Sequence, residues 1–153
     1  MSRLECFLSV VLMIGSARVA TCVGQNVEDR KSADIQVWAI RATTKNNDIS
    51  PELKSIADKL KKQFKYTGFK LEKQASGKAD IGKSFTTPLI GDYQAKVTPK
   101  KNDGKRVELQ IEVSKGKDRV LNTTVTLPVE QSQLMGGWKL DDTDALIVAV
   151  SAK

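Results

Sequence analysis

The sequence predicts an α+β fold in which one amphipathic helix packs on a largely antiparallel sheet or meander of about six to eight strands. Two patterns and a set of turn signals predict it. Over residues 51–65, Leu53, Ile56, Ala57, Leu60 and Phe64 recur at spacings of three and four, the apolar stripe of a helix. From Phe69 onward apolar and polar residues alternate, most cleanly at Val107, Leu109, Ile111 and Val113. Turn signals, Asp103-Gly104 above all, punctuate the alternating runs and favour antiparallel hairpins.

Taken in chain order, residues 7–14 (FLSVVLMI) are an uncharged apolar run with Arg3 before it and small residues after it. That is the layout of a secretory signal peptide. The run falls short of the roughly 20 apolar residues that a spanning helix needs. Residues 1–24 are therefore expected to be a signal peptide, and the remainder an exported domain. Both cysteines, Cys6 and Cys22, lie in this segment, so cleavage after Gly24 leaves no thiol and no disulfide scaffold. Val19-Ala20-Thr21-Cys22 also resembles the box at which bacterial lipoproteins are cleaved and acylated, which makes Cys22 a candidate lipidation site. Residues 25–34 (QNVEDRKSAD) are polar and aperiodic and are expected to form a flexible tether, leaving 35–153 as a single domain.

Residues 34–43 (DIQVWAIRAT) are apolar on both faces over Val37 to Ile40, as in a central strand covered on both sides. The helix comes next, with Ser50 as N-cap candidate, Pro51 at the first helical position, Glu52 at the positive end of the dipole and Gly68 as the stop. Phe69 and Leu71 begin a half-buried strand. Residues 85–90 are a short edge candidate broken by Pro88, and Tyr93, Ala95 and Val97 alternate up to Pro99. Asn102-Asp103-Gly104-Lys105 turns into the Val107–Val113 run, and Lys115-Gly116-Lys117-Asp118 turns again into Leu121, Thr123, Val125 and Leu127. Gly136-Gly137-Trp138 suggests a bulge or a close backbone approach beside a buried indole. Residues 145–150 are a continuous apolar closing strand.

Composition excludes several chemistries. The chain has no histidine, which together with the absence of cysteine beyond the signal segment removes serine triads, cysteine proteases and zinc sites. Carboxylate-only catalysis remains. No cofactor is expected. Gly77-Lys78-Ala79-Asp80-Ile81-Gly82-Lys83-Ser84 satisfies the P-loop spacing, yet Phe85, Thr86, Thr87 and Pro88 stand where the phosphate-binding helix must begin, so a surface turn between strands is expected. Asp141, Asp142 and Asp144 do not follow the spacing of a calcium loop and read as a polar turn.

The net charge of +7 falls to about +6 without Arg3, Glu5 and Arg18, and suits an anionic partner or solubility alone. Candidate anion-binding residues are Lys61, Lys62 and Lys65 on the helix, and Lys100, Lys101, Lys105 and Arg106 around one hairpin. A third basic group, Lys115, Lys117 and Arg119, flanks the same strand and so belongs at the other end of the sheet. Aromatic side chains are scarce, and Trp38, Phe64, Phe69 and Trp138 sit on apolar stripes where core packing is their expected role, so specific nucleic-acid binding is not expected.

Residues 50–71 (SPELKSIADKLKKQFKYTGFKL) and 136–153 (GGWKLDDTDALIVAVSAK) together resemble small exported bacterial proteins with a βαβ start and a β-rich remainder, a family without an assigned activity. A looser likeness is to the periplasmic modules of secretin channels, which carry two helices where this sequence shows one. The function expected from all of this is that of a non-catalytic interaction or assembly module of the bacterial envelope. Its partner would be a protein or an anionic envelope component. The alternative is a binder of anionic polymer or membrane surface through lysine-rich loops.

Overall fold

The computed structural model describes residues 30–153, which form a β-sandwich. Its strands are β1 (Ser32–Thr43), β2 (Gly68–Asp80), β3 (Phe85–Pro88), β4 (Tyr93–Asn102), β5 (Arg106–Lys115), β6 (Asp118–Pro128), β7 (Ser132–Lys139) and β8 (Asp144–Ala152). The first sheet has the order β2-β1-β8-β7 and the second β3-β4-β5-β6. Every pairing between these strands is antiparallel.

The expected α+β class is thus corrected to an all-β sandwich of two sheets with one short helical segment. Geometry explains why a single sheet under one helix fails. Eight strands at about 4.8 Å span nearly 40 Å, whereas a helix is only about 10 Å wide. One helix would leave most of the apolar face bare, so the second sheet supplies the missing layer. Between the sheets lie Ile35, Val37, Leu146, Val148 and Val150 from the first, and Val97, Val107, Leu109, Ile111 and Val113 from the second. The alternation read in β5 marks this interface: its odd-numbered apolar residues are buried, and Glu108, Gln110 and Glu112 face outward.

Strands β1 and β8 are apolar on both faces because the first sheet is covered twice. Its outer face carries Ile40, Ala42, Phe69, Leu134, Ile147 and Ala149, roofed by Leu53, Ile56 and Leu60 of the helical segment. That segment is a 3₁₀ turn, Pro51–Ile56, followed by a short α-helix, α1 (Ala57–Gln63), instead of one continuous helix to Lys65. Ser50 accounts for part of the difference. Its side chain makes no capping bond. The Leu53 N–H donates instead to the Ser50 carbonyl at 2.9 Å, a three-residue closure, while the Ser50 hydroxyl accepts from the Leu71 N–H of β2 at 3.0 Å. The residue expected to cap the helix ties it to the sheet edge.

The strands flanking this segment, β1 and β2, are antiparallel neighbours, so the βαβ start implied by the resemblance is not formed. β2 runs to Asp80 and β1 already begins at Ser32, inside the segment expected as tether. Residues 1–29, with the expected signal peptide and Cys22, lie outside the described residues.

Gly136 shows why a glycine pair stands in β7. The register shifts between Gly136 and Trp138, and Gly136 has a φ of +134°. Leu134 packs on the outer face, so strict alternation would send Trp138 there too. The bulge turns it to the inter-sheet core, where its ring stacks on Tyr93 with centroids 6.1 Å apart. Trp138 is half-buried rather than fully buried.

Candidate functional site

The structure separates the candidate anion-binding residues into two places. Lys61 and Lys62 lie on α1, and Lys65 stands just beyond it, over the outer face of the first sheet. Lys100, Lys101, Lys105 and Arg106 lie around the β4–β5 hairpin in the second sheet, and all seven side chains are exposed. The third group, Lys115, Lys117 and Arg119, occupies the β5–β6 turn at the opposite end of the sandwich, as the strand between the hairpins requires. Arg119 is there paired with Glu112 at 3.1 Å.

The hairpin group gains two members from the segment expected to be a tether. Asn102, 1% exposed, donates from Nδ2 to the Ser32 carbonyl at 2.9 Å and accepts at Oδ1 from the Gly104 N–H at 2.9 Å. The Arg30 N–H donates to the Asn102 carbonyl at 2.7 Å. The Ile81 N–H donates to the Lys31 carbonyl at 2.9 Å, and the Gly82 N–H to that of Pro99 at 2.8 Å. These bonds seat Arg30 and Lys31 beside Lys100 and Lys101 along an open cleft of about 440 Å³ that Ile81 and Asn102 also line. Nothing local in residues 30–31 announces this neighbour some seventy positions away.

A bulge makes the cluster denser. In a regular strand one of two consecutive residues points inward, but the register of β4 shifts between Pro99 and Lys101, so both Lys100 and Lys101 are exposed while Asn102 is buried. Among the described residues, none of the six cations forms an ion pair. The nearby Asp103 accepts at Oδ1 from the N–H groups of Arg106 and Lys105 at 2.6 and 2.8 Å, which with the charges of Lys101 and Arg106 lowers its pKa below the ordinary aspartate value, so it stands as one anion among the six cations. Like charges about 8 Å apart repel by roughly 0.5 kcal/mol per pair in water, so this convergence costs some stability.

At the other end, Arg41 joins two carboxylates, donating from Nε to Glu72 at 3.0 Å and from Nη1 to Asp144 at 3.1 Å. Asp144 is held below the usual aspartate pKa first by the Thr43 hydroxyl and also by Arg41 and Thr143, against its desolvation. A general acid needs a raised pKa, so the arrangement is built as a brace between β1, β2 and β8. Asp141 closes the turn before β8 by accepting from the N–H groups of Thr143 and Asp144 at 2.9 and 2.8 Å, as a polar turn would. Among the described residues, no group of three or more carboxylate, cysteine or histidine side chains is placed to hold a metal ion.

Because the folded pKa of Asp144 lies below its unfolded value, its contribution is complete above about pH 4 and is lost as pH falls through the folded value. Asp144→Asn is expected to cost on the order of 1–2 kcal/mol near neutral pH, with the gap from wild type narrowing as pH falls below the ordinary aspartate pKa. Urea denaturation across pH measures this. A gap that widens on acidification contradicts the assignment.

The P-loop spacing is split between structures that cannot cradle phosphate. Gly77 and Lys78 belong to β2, where a Cβ on Gly77 would collide with the Phe85 ring, so the glycine is there for packing. The stretch expected as a surface loop is therefore half strand. Lys83 sits in the turn 3.9 Å from Asp80, and the Ser84 hydroxyl shares a hydrogen bond of 2.8 Å with Thr98. β3 comes next, not a helix.

No helix among the described residues is long and apolar enough to cross a membrane. No protein-family model and no curated protein matches the sequence. Among solved structures, the type II secretion system secretin XcpQ from Pseudomonas aeruginosa is similar at a TM-score of 0.41 and 12% identity, over 80% of this chain and 55% of that one.

Proposed function

We propose that this chain is an exported, non-catalytic interaction or assembly module of the bacterial envelope, engaging a protein partner by strand addition along β6. The carrying observation is the contrast among the four sheet edges. β2 bears Lys70, Glu72, Lys73, Lys78 and Asp80. β3 has four residues and ends in Pro88, and β7 is bent by the bulge at Gly136. Each is a known way to discourage another strand from pairing.

β6 is bulged at Val120, between the pairs Ser114–Arg119 and Val113–Leu121, but from Leu121 to Leu127 it runs in regular register with none of these devices. Residues 120–127 (VLNTTVTL) carry no charge, glycine or proline, and Val120 is an exposed large hydrophobic side chain. Such an edge offers backbone hydrogen bonds for affinity and alternate side chains for specificity. Export is supported by the apolar run at 7–14, and a non-catalytic role by the lack of histidine and the pairing of Asp144 with Arg41.

A photo-cross-linking residue placed at Thr124 in the producing cell is expected to give a discrete protein adduct. The same probe at Gln74 on β2 should give none, and Val120→Lys with Thr126→Lys should abolish the Thr124 adduct. Equal adducts from both edges, or none from β6, would refute strand addition.

A further inference from the structure

We infer that the end of the sandwich formed by Arg30, Lys31, Lys100, Lys101, Lys105 and Arg106 docks on an anionic phospholipid bilayer. Two chain segments, residues 30–31 and the β4–β5 hairpin, bring these cations to one end of the sandwich, where Arg30, Lys31, Lys100 and Lys101 line the cleft and Asp103 is bonded to the hairpin backbone. Electrostatic attraction to a surface fades over about 10 Å, so a cluster at one tip acts where charges spread over the molecule do not. The lysines of α1 lie over a sheet face, and the β5–β6 turn is at the far end with Arg119 already paired.

With cleavage before Cys22 and acylation of that cysteine, rather than cleavage after Gly24, the point where the remaining chain attaches selects a bilayer over other polyanions. Residues 1–29 join the domain at Arg30, within the cluster itself. Upstream lie the apolar run at 7–14 and Cys22. Residues 23–29 reach at most about 25 Å when fully extended, so an acyl chain on Cys22 would hold this end, and no other, against the lipid. An apolar run retained in the membrane would present the same end. The cleft contributes no aromatic side chain on which a base could stack; its lining is cationic apart from Ile81 and Asn102. With this end down, β6 descends to the membrane at Pro128 and keeps its free edge to the side. The basic end shares no residue with that edge, so membrane docking and strand addition can each fail without the other.

The test measures binding of the full chain to vesicles of phosphatidylcholine alone or with about one third phosphatidylglycerol. Binding is expected to require phosphatidylglycerol and to weaken as salt rises. Lys100→Ala with Lys101→Ala should reduce it on the order of 30-fold, from the attraction of each surface lysine to an anionic leaflet. Lys105→Ala with Arg106→Ala, a second pair outside β4, should act alike, so a folding defect in the first pair cannot mimic the result. Lys61→Ala with Lys62→Ala should leave binding unchanged. Equal binding to neutral vesicles, no loss in either hairpin pair, or an equal loss in the α1 pair overturns the inference. Tighter binding to heparin or duplex DNA than to the vesicles at the same salt also overturns it and assigns the cluster to a polymer.

Discussion

Leu60→Asp is expected to lower the unfolding free energy by at least about 4 kcal/mol, most of the stability of a domain at the low end of the ordinary range of about 5–15 kcal/mol. Leu60 is fully buried at the centre of the roof that covers Ile40, Ala42, Phe69 and Ile147. A carboxylate there has no cationic partner within the cluster and must be desolvated, protonated or expelled. Expulsion takes the helical segment with it and exposes the outer face of the first sheet. Lys61→Asp, one position along and exposed, should stay within about 0.5 kcal/mol of wild type. Chemical denaturation followed by circular dichroism separates the two. Comparable losses from both would mean that the buried face of α1 is wrongly assigned.

Gly136→Ala should be nearly as damaging, at about 3 kcal/mol or more, while Gly137→Ala costs about 1–2 kcal/mol. Both residues have positive φ, +134° and +92°, so both substitutions are strained. Only at 136 would the new Cβ meet backbone, 2.5 Å from the Leu146 carbonyl oxygen and 2.8 Å from the Ile147 Cα. At 137 the nearest atom is a Phe64 ring carbon at 3.9 Å. Backbone of a central strand cannot yield as a side-chain tip can. The bulge would have to shift, and Trp138 would leave Tyr93, so a changed tryptophan emission should accompany the stability loss. A larger loss at 137 than at 136 contradicts this account.

Much of the fold was legible. The two-sided apolar pattern of Val37 to Ile40 and of residues 145–150 marks β1 and β8, which lie side by side in the middle of the first sheet. Pro88 marks β3 as an edge, Asp103-Gly104 marks the β4–β5 hairpin, and the glycine pair marks the bulge of β7. The α+β class failed for a specific reason. The alternation of β4, β5 and β6 says that one face is buried without saying what buries it, and an apolar helix in the same chain offered itself as the cover. It covers another face.

The candidate site was legible only in part. Lys100, Lys101, Lys105 and Arg106 could be grouped because a hairpin holds them together, and the separation of Lys115 and Lys117 is set by the strand between. Arg30 and Lys31 could not be added, because backbone and Asn102 side-chain bonds between distant segments place them, and such bonds leave no mark in residue spacing.

By itself, then, the sequence determined most of the strands and turns, though not the start of β1 or the end of β2, since alternation and turn chemistry act between residues a few positions apart. Only the tertiary structure decided that the strands divide into two sheets and that Ser50 serves β2 instead of capping a helix. It alone also decided that Arg30 and Lys31 join the four cations of the hairpin at one end. Each of these depends on which apolar face finds which other face, a choice settled by total burial across the whole chain rather than by any local signal.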